Sequence, residues 1–337
     1  GQVLYEKSAH VQRPCASITK VMTLLLVFEA IDAGTLHPDD VLTASAHAAG
    51  MGGSDIWLKE GEQMTVDDLI KACVVMSAND AAVVLAEAVA GSEDAFVERM
   101  NARAAELGMN DTVFKNCNGL DEDGHITSAY DVAVMSRALM QHEKIFDYTL
   151  IWIDYVRDGQ TQLVNTNKLV RTYDGILGLK TGTTSAAGSC ISAAAERNGM
   201  RLIAVVLGAE NTKDRFSAAS SLLDYGFANW KLTTPELPEL PELPVTGGMV
   251  SAVSLECEAP RGVLTASGGA EVGIKIILPE NVPAPVEPGD VLGTAEVALN
   301  GDTVQSLKIT AKTEAPAITF SSALQYFLAR FFAAEVA

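Results

Sequence analysis

Ser17-Ile18-Thr19-Lys20 opens the run Ser17 to Ala33, which is rich in Met, Leu, Val and Ala and stops at Gly34. A run of this kind closed by a glycine predicts a largely buried helix with Ser17 at its N-terminus. Serine and lysine three residues apart at a helix start fall on one face, within reach of each other, and such a pair can make a nucleophile and its base. The serine needs a neutral base. A lysine with an ordinary pKa of about 10.4 must therefore fall by roughly 3 pH units, about 4 kcal/mol, to serve near pH 7. Burial and a second nearby cation supply such a fall. Ser-x-x-Lys alone is a weak signal, because most such pairs stand on solvated helix surface.

Further along, the stretch from Thr65 to Ala90 begins with a capping residue and the acids Asp67 and Asp68, runs apolar, breaks at Ser77-Ala78-Asn79-Asp80 and resumes until Gly91. This reads as two helices joined by a short polar corner. At Ser77-Ala78-Asn79 a hydroxyl and an amide stand where a core would not readily keep them, although a simple cap by Asn79 or Asp80 also accounts for the break. Ser92 caps a further helix ending at Gly108, and Thr127-Ser128 with Asp131 opens one running to about Gln141. Leu150 to Val156 and Gln162 to Val164 suit strands. Ser189 to Glu196, Asn198-Gly199 and Leu202 to Leu207 read as an antiparallel hairpin, and Lys213 to Trp230 returns to helix. Before that hairpin, Lys180-Thr181-Gly182 lies in a predicted edge strand. Its cation and hydroxyl suit a substrate carboxylate, and Gly182 would let a ligand backbone approach closely; an ordinary strand-end lysine with a turn is the plainer alternative.

After Trp230 the composition changes. Thr233 to Pro244 carries a threefold Glu-Leu-Pro repeat, which proline makes extended and stiff, and this marks the domain boundary. The expected organisation is a catalytic domain over 1–232, a linker over 233–246, a small β-domain over 247–318 with a turn at Asn300-Gly301, and an apolar helix over 319–337. The last is a weak candidate for spanning a membrane, since a span wants ~20 mainly apolar residues, and a better one for lying on a membrane surface or on its own protein. Gly1 to Glu6 resembles the middle of a strand, so a secretion signal and one further strand are expected to precede it.

Composition narrows the function. In 337 residues, 48% apolar, there is material for two cores, and 24 basic against 43 acidic residues give a net charge of -19. That charge repels nucleic acid and excludes it as a partner. Cys15, Cys73, Cys117, Cys190 and Cys257 are odd in number and form no Cys-x-x-Cys pair, so they read as buried small hydrophobes. No Gly-x-Ser-x-Gly or His-Glu-x-x-His occurs, and His10, His37, His47, His125 and His142 read as structural or exposed. Asp121-Glu122-Asp123-Gly124 hints at a calcium loop, but Gly119 and Tyr130 fall at its first and last ligand positions. Neither metal nor cofactor is expected.

Ser-x-x-Lys, Ser-x-Asn and Lys-Thr-Gly, in this order and these settings, form the set shared by β-lactamases and penicillin-binding proteins. Together with Val3 to Glu6, Ala16 to Thr23, Met76 to Ala81, Glu106 to Met109, Asn118 to Asp121, Gly175 to Thr184 and Leu222 to Phe227, they make the chain resemble the low-molecular-mass penicillin-binding D-alanyl-D-alanine carboxypeptidases of serine peptidase family S11. The likeness extends over nearly the whole chain. It implies an α/β (α+β) transpeptidase fold, an antiparallel sheet with helices on both sides, followed by a small all-β sandwich. It further implies catalysis by Ser17, Lys20, Ser77, Asn79 and Lys180, and substrate binding by Thr181, Gly182, Thr183 and Arg215, with the backbone N–H groups of Ser17 and Thr183 as oxyanion donors. The implied substrate is a peptidoglycan stem peptide ending in D-Ala-D-Ala, with β-lactams as covalent inhibitors acylating Ser17, and the implied location is the outer face of the cell membrane, with the terminal helix as an anchor. Two alternatives remain: a β-lactamase, for which Glu106 to Asn110 superficially offers a Glu and an Asn but reads as a helix end, and a catalytically silent wall-binding protein.

Overall fold

Residues 1–333 are described by a computed structural model, in which the chain divides into two compact units, Gly1–Phe227 and Ala228–Ala337. At the centre of the first lies an antiparallel sheet in the order Ile176–Thr184, Gly188–Arg197, Met200–Ala209. Its middle strand is an almost unbroken run of small apolar residues, as burial on both faces requires. Ile191, Ala193 and Ala195, with Leu202, Ala204 and Val206 of the next strand, face the helix Thr212–Asn229 through Ala219 and Leu223. The alternate residues Cys190, Ala194, Ile203, Val205 and Leu207 face the main core, which contains the helices Lys20–Asp32 and Ala129–Leu139. A two-residue side-chain period thus places helices on both sides. Ser136 and Ser192 meet across the second of these contacts, their hydroxyls 2.7 Å apart in an otherwise apolar layer.

The helix Lys20–Asp32 is buried on every side from Lys20 to Phe28, which is why its sequence is apolar almost without interruption. Asn198 and Gly199 both take positive φ, 52° and 74°, as a tight hairpin turn between right-twisted strands demands. Helix caps fall where serine and threonine stand: Thr65, Ser92 and Ser128 accept from the amides of Asp68, Ala95 and Asp131.

One reading of the sequence needs correction. Gly1–Glu6 forms no strand; it pairs with no described strand, and Tyr5 instead packs edge-on against Tyr225. The first unit ends at Phe227, and Trp230–Thr233 is a strand pairing with Val263–Ala266 of the second unit. The Glu-Leu-Pro stretch that follows is not a bare tether. An extended proline-rich chain turns once every three residues, so a three-residue repeat brings its leucines to one side. Leu237 and Leu240 pack on the cluster of Val263, Ala295, Val297, Leu307 and Ile309, and Leu243 is buried in a neighbouring cluster with Val253, Val286, Ala311 and Ala315. The second unit is otherwise β-rich, its largest sheet ordered Leu255–Cys257, Asp302–Ala311, Val291–Leu299, Val272–Ile277, and it ends in the helix Phe320–Ala333.

Candidate active site

Ser17 stands in a 3-10 turn, Ala16–Thr19, that runs straight into the helix beginning at Lys20. Lys20 is fully buried, and its ammonium has three acceptors: Ser17 Oγ at 3.1 Å, Asn79 Oδ1 at 2.5 Å and the Asn118 carbonyl at 2.6 Å. Three donors meeting three acceptors fix the Nζ beside the serine hydroxyl.

Asn79 reaches this point through a break in the chain. The helix Val66–Lys71 widens into a π turn over Ala72–Met76, Ala78 N–H donates back to Ala72 O, and Ser77 takes the left-handed conformation with φ 66° before a new helix starts at Asn79. The corner is pinned from outside. Asn79 donates from its amide to Gly52 O and from its backbone to Ser54 O, and the buried Asp80 carboxylate accepts the amides of Ile56, Leu58 and Ala81. The Ser77 hydroxyl, also buried, has no hydrogen-bond partner among the described residues.

The third segment is the outer strand Ile176–Thr184. A bulge at its start, with Gly178 and Leu179 at φ 93° and 79°, sets the facing of the residues that follow. Thr181 Oγ1 donates to Thr166 Oγ1 at 2.7 Å, and Thr166 N–H donates to Val75 O in the π turn, so strand and helix break are tied together. A Cβ on Gly182 would stand 2.7 Å from Cys15 O and 2.9 Å from Ser17 N. Within the protein its close neighbour is therefore the turn that carries Ser17. A Cβ on Gly119, at φ +86°, would come within 2.0 Å of Ala16 O, so the Ala16–Ser17 peptide lies between two glycines.

Burial lowers Lys20 to about 8, a fall partly offset by the fields of Asp55 and Asp80. Lys180 is lowered to about 7, first by burial and then by the positive charges of Lys20 and Arg215; its Nζ donates to the Thr181 carbonyl, at 3.1 Å. Burial alone thus brings Lys20 toward neutrality, which is the condition a lysine base requires, and the Lys20 charge adds to the same effect on Lys180. The thiols lie on the other side of this balance. Cys15 is pushed up to about 12 by burial and Cys117 is also raised, so both stay protonated and inert.

A family model described as D-alanyl-D-alanine carboxypeptidase matches residues 1–211, and one described as the C-terminal domain of penicillin-binding protein 5 matches residues 240–317. The chain belongs to the D-alanyl-D-alanine carboxypeptidase family. It is 39% identical over 322 residues to D-alanyl-D-alanine carboxypeptidase DacF of Bacillus subtilis (strain 168), covering 93% of this chain and 82% of the relative. Among solved structures it resembles penicillin-binding protein 5 of Haemophilus influenzae, with TM-score 0.75, 29% identity and 94% of each chain covered. It also resembles penicillin-binding protein D2 of Listeria monocytogenes in its ampicillin-bound form, with TM-score 0.61, 34% identity, and 67% and 93% of the two chains covered. The antiparallel sheet flanked by helices is thus the penicillin-binding-protein fold, followed by a β-rich second unit.

Within this D-alanyl-D-alanine carboxypeptidase framework, Ser17, Lys20 and Asn79 are joined directly by hydrogen bonds, and Gly182 touches the Ser17 turn. Thr183 Oγ1 donates to Gly182 O. Arg215 Nη1 donates to Gly182 O, Thr183 Oγ1 and Cys190 O, which ties the arginine to the strand, while its buried Nε has no partner among the described residues. Sequence reasoning missed three contributors: the Asn118 carbonyl that holds Lys20, Thr166 under Thr181, and His125, whose ring lies against Thr19. Backbone acceptors carry no residue signature, but the glycine following Asn118 was a visible cue. The other four histidines are in surface pairs with Asp111, Asp40, Glu93 and Asp32. Asp121 accepts from Thr184 Oγ1 and Ala186 N–H.

Proposed function

We propose that this chain removes the terminal D-alanine from peptidoglycan stem peptides ending in D-Ala-D-Ala, through an acyl intermediate on Ser17 that β-lactams imitate. Ser17 Oγ attacks the carbonyl of the penultimate D-alanine while neutral Lys20 takes its proton. The oxyanion is received by the N–H groups of Ser17 and Thr183. As the peptide bond breaks, the proton passes from Lys20 by way of Ser77 to the leaving nitrogen, and D-alanine departs. Asn79 holds Lys20 and the substrate amide. Lys180, Thr181 and Arg215 draw the terminal carboxylate, and Gly182 keeps the strand close to the nucleophile. Water then cleaves the ester and restores the serine hydroxyl.

The observation that carries this reading is the Lys20 ammonium, buried, lowered to about 8 and 3.1 Å from Ser17 Oγ. The unpartnered Ser77 hydroxyl supports it as a group available to a substrate. A β-lactamase would want a carboxylate to activate water beside the acyl ester. Glu106, the candidate noted above, ends a helix, is 65% exposed and pairs with Arg103. The catalytic work is assigned to the first unit. The protein acts outside the cytoplasm, with the helix Phe320–Ala333 resting on the membrane surface; none of the described helices is long and apolar enough to cross a membrane.

The test is the release of free D-alanine from a synthetic peptide ending in D-Ala-D-Ala, run beside penicillin hydrolysis. D-Alanine turnover with slow penicillin hydrolysis is expected, and Ser17→Ala should abolish the first. Rapid penicillin turnover without D-alanine release would favour the lactamase; neither activity would favour a silent wall-binding protein.

A further inference from the structure

We propose that His125 is a positioning residue for the reaction at Ser17: through the Thr19 hydroxyl it holds the Ala16 carbonyl, and so aims the Ser17 N–H. The inference rests on the reading of Ser17 as nucleophile and deepens it. Its starting point is strain. Ala16, immediately before Ser17, has φ 52°, a left-handed conformation that a residue with a Cβ rarely keeps unless its surroundings impose it.

The surroundings form a chain of three hydrogen bonds. Lys115 N–H donates to His125 Nδ1 at 3.1 Å, which makes that nitrogen the acceptor and leaves the proton of the neutral ring on Nε2. Nε2–H then donates to Thr19 Oγ1 at 2.7 Å, across 106 residues of sequence, and the single hydroxyl hydrogen of Thr19 goes to Ala16 O at 2.9 Å. The ring is 3% exposed and Phe114 packs against it edge-on. Burial lowers it to about 4, against the weaker opposing fields of Glu122 and Asp121, so it is neutral wherever the enzyme works.

The consequence follows from peptide planarity. Ala16 O and Ser17 N–H belong to one rigid unit and point in opposite directions, so a clamp on the oxygen sets the direction of the hydrogen. Oxyanion donors act by being aimed in advance at the place where charge develops. The two flanking glycines give the unit room to lie where it does; the hydroxyl and the ring decide its tilt.

The experiment measures acylation by benzylpenicillin, separating the dissociation constant of the initial complex from the first-order acylation rate constant. His125→Ala and Thr19→Val are each expected to slow acylation about 10-fold, and not beyond the roughly 100-fold that loss of an oxyanion donor begins to cost, with the initial complex unchanged. The double variant should be no slower than the slower single, because both cut one chain. His125→Gln and Thr19→Ser, which can donate and accept in the same places, should recover much of the rate. Phe114→Leu loosens the same packing without touching the chain and should acylate normally. Thr19→Val, similar in shape to the native residue, carries the test if His125→Ala does not fold. Unchanged acylation in Thr19→Val, additive losses in the double variant, or an equal loss in Phe114→Leu would overturn the proposal while leaving Ser17 in place. Absence of any adduct on the unaltered protein would overturn the function and this inference together.

Discussion

Lys20 and Lys180 share one problem: each has its ammonium group buried, and Lys180 also feels the positive charges of Lys20 and Arg215. The values, about 8 for Lys20 and about 7 for Lys180, belong to an interacting pair that begins to shed a proton near neutrality. The sign of the pH effect follows. Attack by Ser17 needs a neutral lysine, so kcat for D-alanine release should rise between pH 6 and 9, as protons leave the pair, on the order of the range set by those pKa values. Recognition of a carboxylate needs a charged Lys180, so KM should rise over the same interval. A kcat flat across that interval would contradict a lysine base. Lys20→Arg, which keeps the charge but cannot release the proton, should lower acylation by about 100- to 10,000-fold. Much at this scale was legible beforehand, because a hydroxyl, an amine and an amide declare their chemistry by residue type. The Asn118 carbonyl and the left-handed Ala16 were not, since main-chain acceptors and dihedral angles leave no such mark.

Three elements meet at the site, and each announces itself locally: a helix start at Ser17, a helix break at Ser77, and an outer strand at Lys180. Their convergence is a matter of contacts between distant segments. Thr166 links Thr181 to Val75, Asp80 pins the loop at Ile56 and Leu58, and Gly119 and Gly182 admit the Ala16–Ser17 peptide between them. At Gly182 the sequence shows that room is needed but not that the Ser17 turn takes some of it. The prediction at this scale concerns that room. Gly119→Ala puts a Cβ within 2.0 Å of a backbone oxygen, whereas Gly108, at φ +74°, has nothing within 4 Å. Gly108→Ala should therefore cost only the left-handed penalty of roughly 1–2 kcal/mol, and Gly119→Ala that penalty plus overpacking of roughly 1–3 kcal/mol. Urea denaturation measures the difference, and only Gly119→Ala should lose β-lactam acylation. Equal behaviour of the two variants would deny the glycine clamp.

At the scale of the whole molecule, each unit has hydrophobic clusters of its own, and the second carries a helix with exposed apolar side chains. Phe320 is 86% exposed and Phe327 65%. The net charge of -19 opposes adsorption to an anionic surface, so the proposed attachment through this helix would have to be apolar and insensitive to salt. Flotation with phosphatidylethanolamine–phosphatidylglycerol vesicles should carry the full chain at low and high salt and leave behind a chain ending before Phe320, with D-alanine release from a soluble peptide the same for both. Equal partition of the two would remove the membrane role. The assignment as a whole reduces to one covalent event. Intact-mass analysis after benzylpenicillin treatment, followed by peptide mapping, should find one added penicillin per chain, located on Ser17 and missing from Ser17→Ala; an unmodified chain, or an adduct on another residue, would contradict it.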